Sequence, residues 1–522
     1  MNKSFMSAMT STLNHGAHNE SYTENGALGY RTTGKALLDL NFSVPALRKM
    51  TDEEVYHRFS KAFFEDKVIA MKWLFFARDV RGGLGERRLF RTVISFMAES
   101  NPEYLIPLLD LIPEYGRYDD LWCLLDTPLR DNVVQVTKKQ FVMDVKAYQS
   151  KRSVSLLAKW MPSANASSPK TRRYARILIH EIGTTERDYR KTLSRLRAYI
   201  DIVERKMSEG QWENIKYEGV PSRANLKYNK AFLRNDEIRR RAFLESLSRG
   251  ETTINASTLY PHDIVTKYMN NGAWRSAVKS YDATLEALWN ALPDTVEGCG
   301  NTIVVADGSG SMTSRISNAG RTSALDVANA LAIYFAERSS GQFKDQYMTF
   351  SMHPQLVDLS GGKNLREKLQ IALEHCECSN TNIEAVFDLI LATAKNNMMT
   401  QDEMPQNILI ISDMEFDSCV SAGPVGRNRW TVERPTEKLF DTFRKRYERA
   451  GYQLPRLVFW NVNSRTGTIP MTENDLGVAL VSGFSTNIVK MVMSGQTDPY
   501  DCLLETLNSE RYAPVEAALT AS

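Results

Sequence analysis

The apolar residues of this 522-residue chain change their spacing once, near residue 298, and this change limits the folds open to it. From about residue 35 to 290, segments such as VIAMKWLFFARDV and RDYRKTLSRLRAYIDIVERKM carry apolar residues every three to four positions, which is typical of amphipathic helices. After Gly298, short β-rich runs such as NTIVVADGS and QNILIISDM alternate with helical stretches. This alternation predicts a doubly wound, mostly parallel sheet.

The two patterns divide the chain into three parts. Residues 1–28 are rich in Ser, Asn, His and Gly without a period, so we predict a flexible arm. Residues 29–295 are predicted to form an all-α domain of successive helix pairs, as in a HEAT-like repeat. Residues 296–522 are predicted to form an α/β domain. The fold class is therefore multidomain, all-α followed by doubly wound α/β.

The composition is not that of a membrane-embedded protein or of a secreted protein stabilised by disulfides. No run of eighteen apolar residues occurs, and the polar N-terminus lacks the apolar region of a secretory signal. The six cysteines stand singly except for one Cys-x-Cys, which is no disulfide framework. We therefore expect a cytoplasmic protein with reduced thiols and no membrane partner.

One carboxylate and two hydroxyls stand at alternate positions directly after an apolar run, in the stretch IVVADGSGSM. Open parallel sheets bind ligands at the carboxyl ends of their strands, where Asp307, Ser309 and Ser311 would lie. Thr381, at the start of a helix, and Asp413, after a later strand, supply two more oxygen donors. Mg²⁺ prefers such oxygens, so these residues predict a site for Mg²⁺ or another divalent cation.

These five residues resemble the metal-ion-dependent adhesion site of von Willebrand factor A domains, in which an Asp-x-Ser-x-Ser loop, a Thr and a further Asp meet in this chain order. The resemblance implies that Ser309, Ser311 and Thr381 bind the metal directly. It implies that Asp307 and Asp413 act directly or through water. One coordination position would then remain for water or for a partner's carboxylate.

Other interpretations of this stretch stay open. Gly308 departs from the pattern, because such domains more often have an apolar residue there, and we expect it to loosen the strand end. A Ser/Gly turn whose Asp caps the next helix would give the same pentapeptide. Glu415 and Asp417 beside Asp413 would suit a metal-dependent nuclease, the weakest of the alternatives. No His or Cys is placed to assist a nucleophile, so we expect no enzyme.

The middle of the chain is strongly basic. Residues 138–249 hold 26 Lys and Arg against 12 Asp and Glu, an excess of 14 positive charges. In RDYRKTLSRLR the cations recur at helical spacing, and such a face neutralises phosphates by counterion release. The residues predicted to bind RNA here are Arg172, Arg173, Arg176, Arg187, Arg190, Lys191 and Arg195. Tyr174 and Tyr189 lie among them and are expected to stack on bases.

A further anion site is predicted in the loop of residues 78–88, where amides at a helix start accompany Arg81 and Arg87. The end of one helix followed by the start of the next has the same appearance. For any single arginine of the basic region, solvation or pairing with a nearby acid is the alternative to RNA binding.

Several segments resemble a group catalogued as domain of unknown function 2828, whose layout is similar to that of the Ro (TROVE) ribonucleoproteins. They include FFARDVRGGLGERRLF (75–90), IPEYGRYDDLW (112–122), LLAKWMPS (156–163) and SGFSTNIVKM (482–491). In Ro proteins a ring of helical repeats, joined by an A domain, binds structured RNA on a basic surface.

We therefore hypothesise a non-enzymatic RNA-binding scaffold that resembles the Ro ribonucleoproteins and binds a small structured RNA on its basic helical surface. Its Mg-binding A domain would close the structure and recruit a protein partner. The alternative is a metal-dependent protein interaction module without RNA. In that case the A domain would bind an acidic residue of a partner such as an AAA+ ATPase or a structural protein.

Overall fold

The computed structural model describes residues 19–25, 28–269, 278–296, 301–317, 320–350, 353–378, 382–416, 439–465, 468–470, 478–489 and 498–521. The chain forms two units. The helical unit consists of Val55–His57, Asp66–Thr258 and Leu507–Ser522. The sheet unit consists of Met1–Glu54, Arg58–Glu65 and Leu259–Thr506.

The α-helices that the structure describes are numbered in chain order. They are α1 (Ala36–Phe42), α2 (Val44–Leu47), α3 (Asp52–Glu65), α4 (Lys67–Arg78), α5 (Arg87–Ser100), α6 (Ile112–Tyr115), α7 (Arg130–Gln149), α8 (Leu157–Trp160), α9 (Pro169–Ile182), α10 (Glu186–Tyr199), α11 (Val203–Ser208), α12 (Ser222–Asn235), α13 (Glu237–Ser248), α14 (Pro261–Tyr268), α15 (Ala283–Asn290), α16 (Ala324–Arg338), α17 (Leu365–Glu374), α18 (Glu384–Asn396), α19 (Leu439–Arg449), α20 (Pro499–Leu507) and α21 (Ala513–Thr520).

The strands are numbered in the same way. They are β1 (Glu20–Tyr22), β2 (Leu28–Tyr30), β3 (Thr302–Asp307), β4 (Gln346–Phe350), β5 (Gln355–Asp358), β6 (Asn407–Ser412), β7 (Arg456–Asn461) and β8 (Val478–Ser482). Within the described ranges from 36 to 290 the regular elements are all helical, as the periodicity predicts. The expected combination of a mostly helical N-terminal part with a C-terminal α/β part is therefore confirmed.

The sheet unit is built on six strands in the order β5-β4-β3-β6-β7-β8. All neighbours run parallel except β4 and β5. In this register Val305 of β3 lies opposite Met348 of β4 and Ile410 of β6. The apolar β-rich runs of the sequence form five of these strands, which are buried because helices cover a parallel sheet. The sequence pattern does not predict strand β5, because it is a short edge strand whose residues are mostly not buried.

The first described residues differ from the expected flexible arm. Strands β1 and β2 pair antiparallel, and Tyr30 pairs in turn with Ile469 of the sheet unit. The Thr23 hydroxyl donates a 2.6 Å hydrogen bond to the carbonyl of Phe416. Residues some 390 positions away order this segment, and local composition does not reveal them.

The observed division of the chain into two units does not follow the boundary predicted at residue 295. Helix α1 packs on β8, and α14 packs on α16, so both helices belong to the sheet unit although their sequence is helical. In the helical unit α21 returns from the C-terminus to pack on α4. There the buried Lys72 donates a 2.6 Å hydrogen bond to Glu516. Each unit is therefore assembled from segments far apart in sequence.

The described cysteines agree with the expectation of reduced thiols. Cys123, Cys376, Cys378 and Cys502 are free thiols, whereas Cys299 and Cys419 lie outside the described residues. Among the described helices none is both long and apolar enough to cross a bilayer.

Candidate metal centre and basic cleft

The Asp-x-Ser-x-Ser loop begins where β3 ends, within the sheet unit. The amide of Gly308 donates a 2.9 Å hydrogen bond to the carbonyl of Phe350 on β4. A Cβ at Gly308 would lie 2.8 Å from the Thr349 hydroxyl oxygen, closer than packed atoms allow. Glycine therefore fits because the loop lies tightly against β4. This corrects the expectation that Gly308 loosens the strand end.

Hydrogen bonds fix the acidic and hydroxyl groups of this loop. Asp307 is buried and accepts bonds from the Ser309 amide at 2.9 Å and the Ser412 hydroxyl at 2.6 Å. The hydroxyl oxygens of Ser309 and Ser311 lie 3.0 Å apart. A simple turn would supply the hydrogen bond from the Ser309 amide. It would not bring the two serine hydroxyls together or provide the hydrogen bond from Ser412, the last residue of β6.

Asp413, directly after β6, lies in the same part of the sheet unit with no exposed surface. Its Oδ1 accepts a long 3.3 Å hydrogen bond from the Glu415 amide. Its Oδ2 has no hydrogen-bond partner in the described residues, and the Arg465 guanidinium nitrogen stands 3.7 Å away. Burial, together with the charge of Asp307, raises the pKa of Asp413 to about 7, although Ser311 opposes the shift. An unsatisfied buried carboxylate oxygen suits a cation.

The spacing of these donors fits a small divalent cation. Adjacent ligands of octahedral Mg²⁺, at about 2.1 Å from the metal, are about 3.0 Å apart, which matches the Ser309–Ser311 separation. In the described residues no three His, Cys, Asp or Glu side chains gather into a metal-binding group, so hydroxyls would have to contribute. Thr381 lies outside the described residues. Cys378, three positions earlier in sequence, donates its amide to the Gly308 carbonyl at 2.9 Å.

The second carboxylate after β6 is already engaged. Glu415 is buried, and its two oxygens accept the amides of Glu24 at 2.8 Å and Arg465 at 2.9 Å. Arg465 also forms a 2.6 Å ion pair with Glu24. Asp417 lies outside the described residues. This engagement of Glu415 weighs against the nuclease interpretation. Sequence reasoning missed Glu24 and Arg465, because neither lies near a motif.

A cleft of about 1180 Å³ opens on the helical unit, and most of its charged lining residues are basic. Eight basic and three acidic residues line it. The basic residues are Arg117, Lys159, Arg187, Arg190, Lys191, Arg197, Arg205 and Lys227, and the acidic ones are Glu186, Glu204 and Glu209. The excess of basic residues in the sequence is therefore also found among the residues that line this cleft.

The predicted RNA-binding residues of the basic region do not all lie in this cleft. Arg187, Arg190 and Lys191 line it from α10. Arg176 and Arg195 are exposed but do not line it. Arg172 donates to the carbonyls of Ala166 and Ser167, both at 2.8 Å, and Arg173 pairs with Asp126.

The two tyrosines expected to stack on bases are buried instead. The Tyr174 hydroxyl donates to Asp126 at 2.6 Å, and that of Tyr189 donates to the Pro162 carbonyl at 2.8 Å. Both rings pack inward from their amphipathic helices. Arg240, which also belongs to the basic region of residues 138–249, is fully buried against the rings of Tyr217, Phe232 and Phe243. Helical spacing of cations did not separate exposed from buried positions.

Sequence reasoning missed Trp160, a half-buried aromatic that lines the cleft. The Arg117 guanidinium lies 4.7 Å from its ring centroid, and the Lys159 ammonium lies 5.6 Å from it. Trp160 also lines a neighbouring cleft of about 630 Å³. The aromatic residue beside a lysine in LLAKWMPS could have indicated a binding site, but composition alone does not show whether the Trp160 ring is exposed.

The loop predicted as an anion site joins α4 to α5. Arg81 is exposed, and its guanidinium donates only a long 3.5 Å bond to the Glu114 carbonyl. Arg87 pairs with Asp119 and Asp120. Asp120 has no exposed surface and also accepts bonds from Arg78 at 2.8 Å and Arg91 at 2.6 Å. Arg87 is therefore part of an ion cluster that holds helices together, as the helix-end interpretation suggests.

Asp79 continues this arrangement at the end of α4. It is buried and pairs with Arg511, whose Nη2 lies 2.9 Å from Asp79 Oδ1. Burial, together with the charge of Asp79, keeps the Tyr512 hydroxyl protonated by raising its pKa. The segments FFARDVRGGLGERRLF and IPEYGRYDDLW thus meet one another and the C-terminal segment through buried ions.

Comparison with known proteins agrees with the two-part layout. A family described as domain of unknown function DUF2828 matches residues 23–153 and 169–302. A second, domain of unknown function DUF7788, matches residues 301–512. The "Uncharacterized protein L728" of Acanthamoeba polyphaga mimivirus is 30% identical over 95% of this chain and 89% of its own length. On these matches, the chain belongs to the DUF2828 family.

Proposed function

We propose that this protein is a non-enzymatic RNA-binding scaffold, similar to the Ro ribonucleoproteins, that holds a small structured RNA on its helical unit. The main support for the proposal is the cleft of about 1180 Å³, which is lined by eight basic and three acidic residues. Such a concentration of cations exceeds what local ion pairs neutralise. RNA phosphates are the polyanion that fits it.

The cleft residues of α10 are the strongest part of this case. Arg187, Arg190 and Lys191 are exposed and form no ion pair or hydrogen bond within the described part of the chain. Arg205, by contrast, pairs with Glu209 at 2.8 Å on the cleft wall. Cations without a partner in the protein can replace the counterions condensed on RNA phosphates, and the release of those counterions favours binding at low salt.

The test is a salt titration of RNA affinity with the full-length protein and a small stem-loop RNA. Changing Arg187, Arg190 and Lys191 together to Glu should weaken binding at least tenfold at about 0.1 M salt. It should also lower the slope of log K against log salt by about one for each phosphate that the protein no longer neutralises.

The matched control changes three exposed basic residues of the same unit that do not line the cleft, Lys146, Arg152 and Lys216. This variant alters the net charge equally and should keep most of the affinity. Equal reductions of affinity in the two variants would show that net charge alone attracts RNA and would refute the cleft as the binding site.

A second candidate function, metal-dependent binding of a protein partner, is favoured by the sheet unit. The strand order and the placement of Asp307, Ser309, Ser311 and Asp413 support a von Willebrand factor A-like domain with a Mg²⁺ site. Those residues, with Thr381, would hold the ion, which when bound would offer one coordination position to a carboxylate of the partner.

The two functions are separable by mutation. Replacing Ser309 by Ala should remove Mg²⁺-dependent thermal stabilisation and leave RNA affinity within twofold of wild type. Ser314→Ala, a serine just beyond the same loop, is the control and should keep the Mg²⁺ response. If Ser309→Ala and EDTA both leave the melting temperature in Mg²⁺ unchanged, the metal-dependent function is refuted.

A further inference from the structure

Trp160 holds a fixed place at the end of α8. Its carbonyl accepts a 3.0 Å hydrogen bond from the Trp122 indole nitrogen. Arg197 donates to the carbonyls of Ala158 at 2.8 Å and Met161 at 2.9 Å, on either side of it. The backbone that carries the ring is therefore anchored at three points. An aromatic side chain on an anchored backbone loses little entropy when a flat ligand stacks on it.

The ring stands where two basic clefts meet. The larger cleft and the neighbouring cleft of about 630 Å³ share Lys159, Trp160, Ser163 and Arg197 in their walls. Arg117 faces the ring from the larger cleft and forms no ion pair in the described residues. A planar aromatic surface beside unpaired cations is complementary to a nucleotide, which presents a flat base and an anionic phosphate within one unit.

We infer that Trp160 is a stacking platform for an unpaired RNA base, with Arg117 and Lys159 contacting the flanking phosphates. This inference rests on the proposed RNA binding and specifies which part of the RNA the cleft takes. Bases within a duplex already stack on their neighbours and do not offer a face to a side chain. A single-stranded end or loop can splay its bases and follow the two clefts past the ring. The ligand class is therefore single-stranded RNA next to a structured element.

The experiment compares two labelled RNAs on the full-length protein, a stem-loop with a single-stranded tail and the same stem-loop without it. Trp160→Ala should weaken binding of the tailed RNA about tenfold and change binding of the blunt RNA less than about twofold. The salt slope should stay that of wild type because no charge is removed. Trp160→Phe should restore most of the affinity, since a smaller aromatic ring still stacks.

Trp212→Ala is the matched control, a half-buried tryptophan of the same unit that lines neither cleft. A wild-type measurement keeps the test independent of variant folding: 5-iodouridine in the tail should photo-cross-link to the peptide that contains Trp160. Equal reductions of affinity for tailed and blunt RNA, or a cross-link only elsewhere, would overturn the stacking platform. If the α10 charge variant binds neither RNA while Trp160→Ala binds both as wild type does, RNA binding stands and this inference falls. If wild-type protein binds neither RNA, both fall.

Discussion

Asp120 of the helical unit and Asp413 of the sheet unit are both fully buried carboxylates, but only the first is saturated with partners. Burial alone would raise the pKa of Asp120, yet Arg78 and Arg91 hold it below the ordinary value. Burial and Asp307 raise the pKa of Asp413 to about 7, and its Oδ2 lacks a hydrogen bond within the described residues. A buried acid whose oxygens all have partners thus holds the fold together, whereas a buried acid with an unsatisfied oxygen can still bind a ligand.

The largest effect is expected from Asp120→Asn. This change leaves the buried Arg78 with a neutral partner, and breaking a buried ion pair costs about 3–5 kcal/mol. Urea unfolding followed by circular dichroism measures the decrease in stability. Asp110→Asn removes only an exposed pair with Lys139 and should cost about 0.5 kcal/mol or less. A decrease below about 1 kcal/mol for Asp120→Asn would mean that the ion cluster does not fasten the helices.

The two acids should respond to pH in opposite ways in protein freed of divalent cations by EDTA. Since the folded-state pKa of Asp413 is raised, its contribution to stability is present below about pH 4 and is lost as the pH rises through about 7. The size is at most a few kcal/mol, about 1.4 kcal/mol for each unit of difference between the folded and unfolded pKa.

For Asp120 the folded-state pKa is lowered. Its contribution to stability is present above about pH 4, the pKa in the unfolded chain, and is lost as the pH falls through the folded-state value. The difference in unfolding free energy between wild type and each Asn variant, measured from about pH 3 to 8, isolates the two acids. A flat difference for Asp413→Asn between about pH 4 and 7 would contradict its raised pKa.

Asp413→Asn should weaken Mg²⁺ binding about tenfold or more, which corresponds to about 1.4 kcal/mol, because a charged ligand to the ion is removed. The metal-free protein should keep its stability, since the change also removes repulsion with Asp307 and Glu415. Isothermal titration with MgCl₂ measures the affinity. Asp402→Asn, on an exposed acid of the same unit, is the control and should bind as wild type does. Unaltered Mg²⁺ affinity in Asp413→Asn would remove Asp413 from the site.

The smallest effect is expected from Glu237→Gln, in an exposed pair with Arg241 at 2.8 Å on α13. Exposed helix pairs contribute about 0.3–0.5 kcal/mol and are screened by salt. Thermal unfolding at low and high salt should show a slight destabilisation that disappears at high salt. A destabilisation comparable with that of Asp120→Asn would show that burial is not what distinguishes the ion cluster.

Sequence reasoning predicted the type of fold well but assigned individual cations less well. The spacing of apolar residues predicted both structural classes, helical and α/β, because this spacing depends on which face of an element is buried. The loop from Asp307 to Ser311 was recognised because its donors are neighbours in sequence. The basic region was recognised as a charge excess, but Arg240, Tyr174 and Tyr189 proved to be buried. Basic residues spaced three to four positions apart lie on one face of a helix, but the spacing does not reveal whether another element packs against that face.

Three features can be predicted from local sequence: the change from helices to a parallel sheet, the oxygen-rich loop at the end of β3, and the positive charge of the middle region. Which distant groups meet depends on the tertiary structure. Arg511 pairs with Asp79 in the helical unit, the Glu24 amide donates to Glu415 in the sheet unit, and Arg117 lies over the Trp160 ring at the cleft. The physical reason is that periodicity and local composition arise from neighbours along the chain. The pairing of buried charges and the exposure of a ring depend on where the chain returns, which no local pattern encodes.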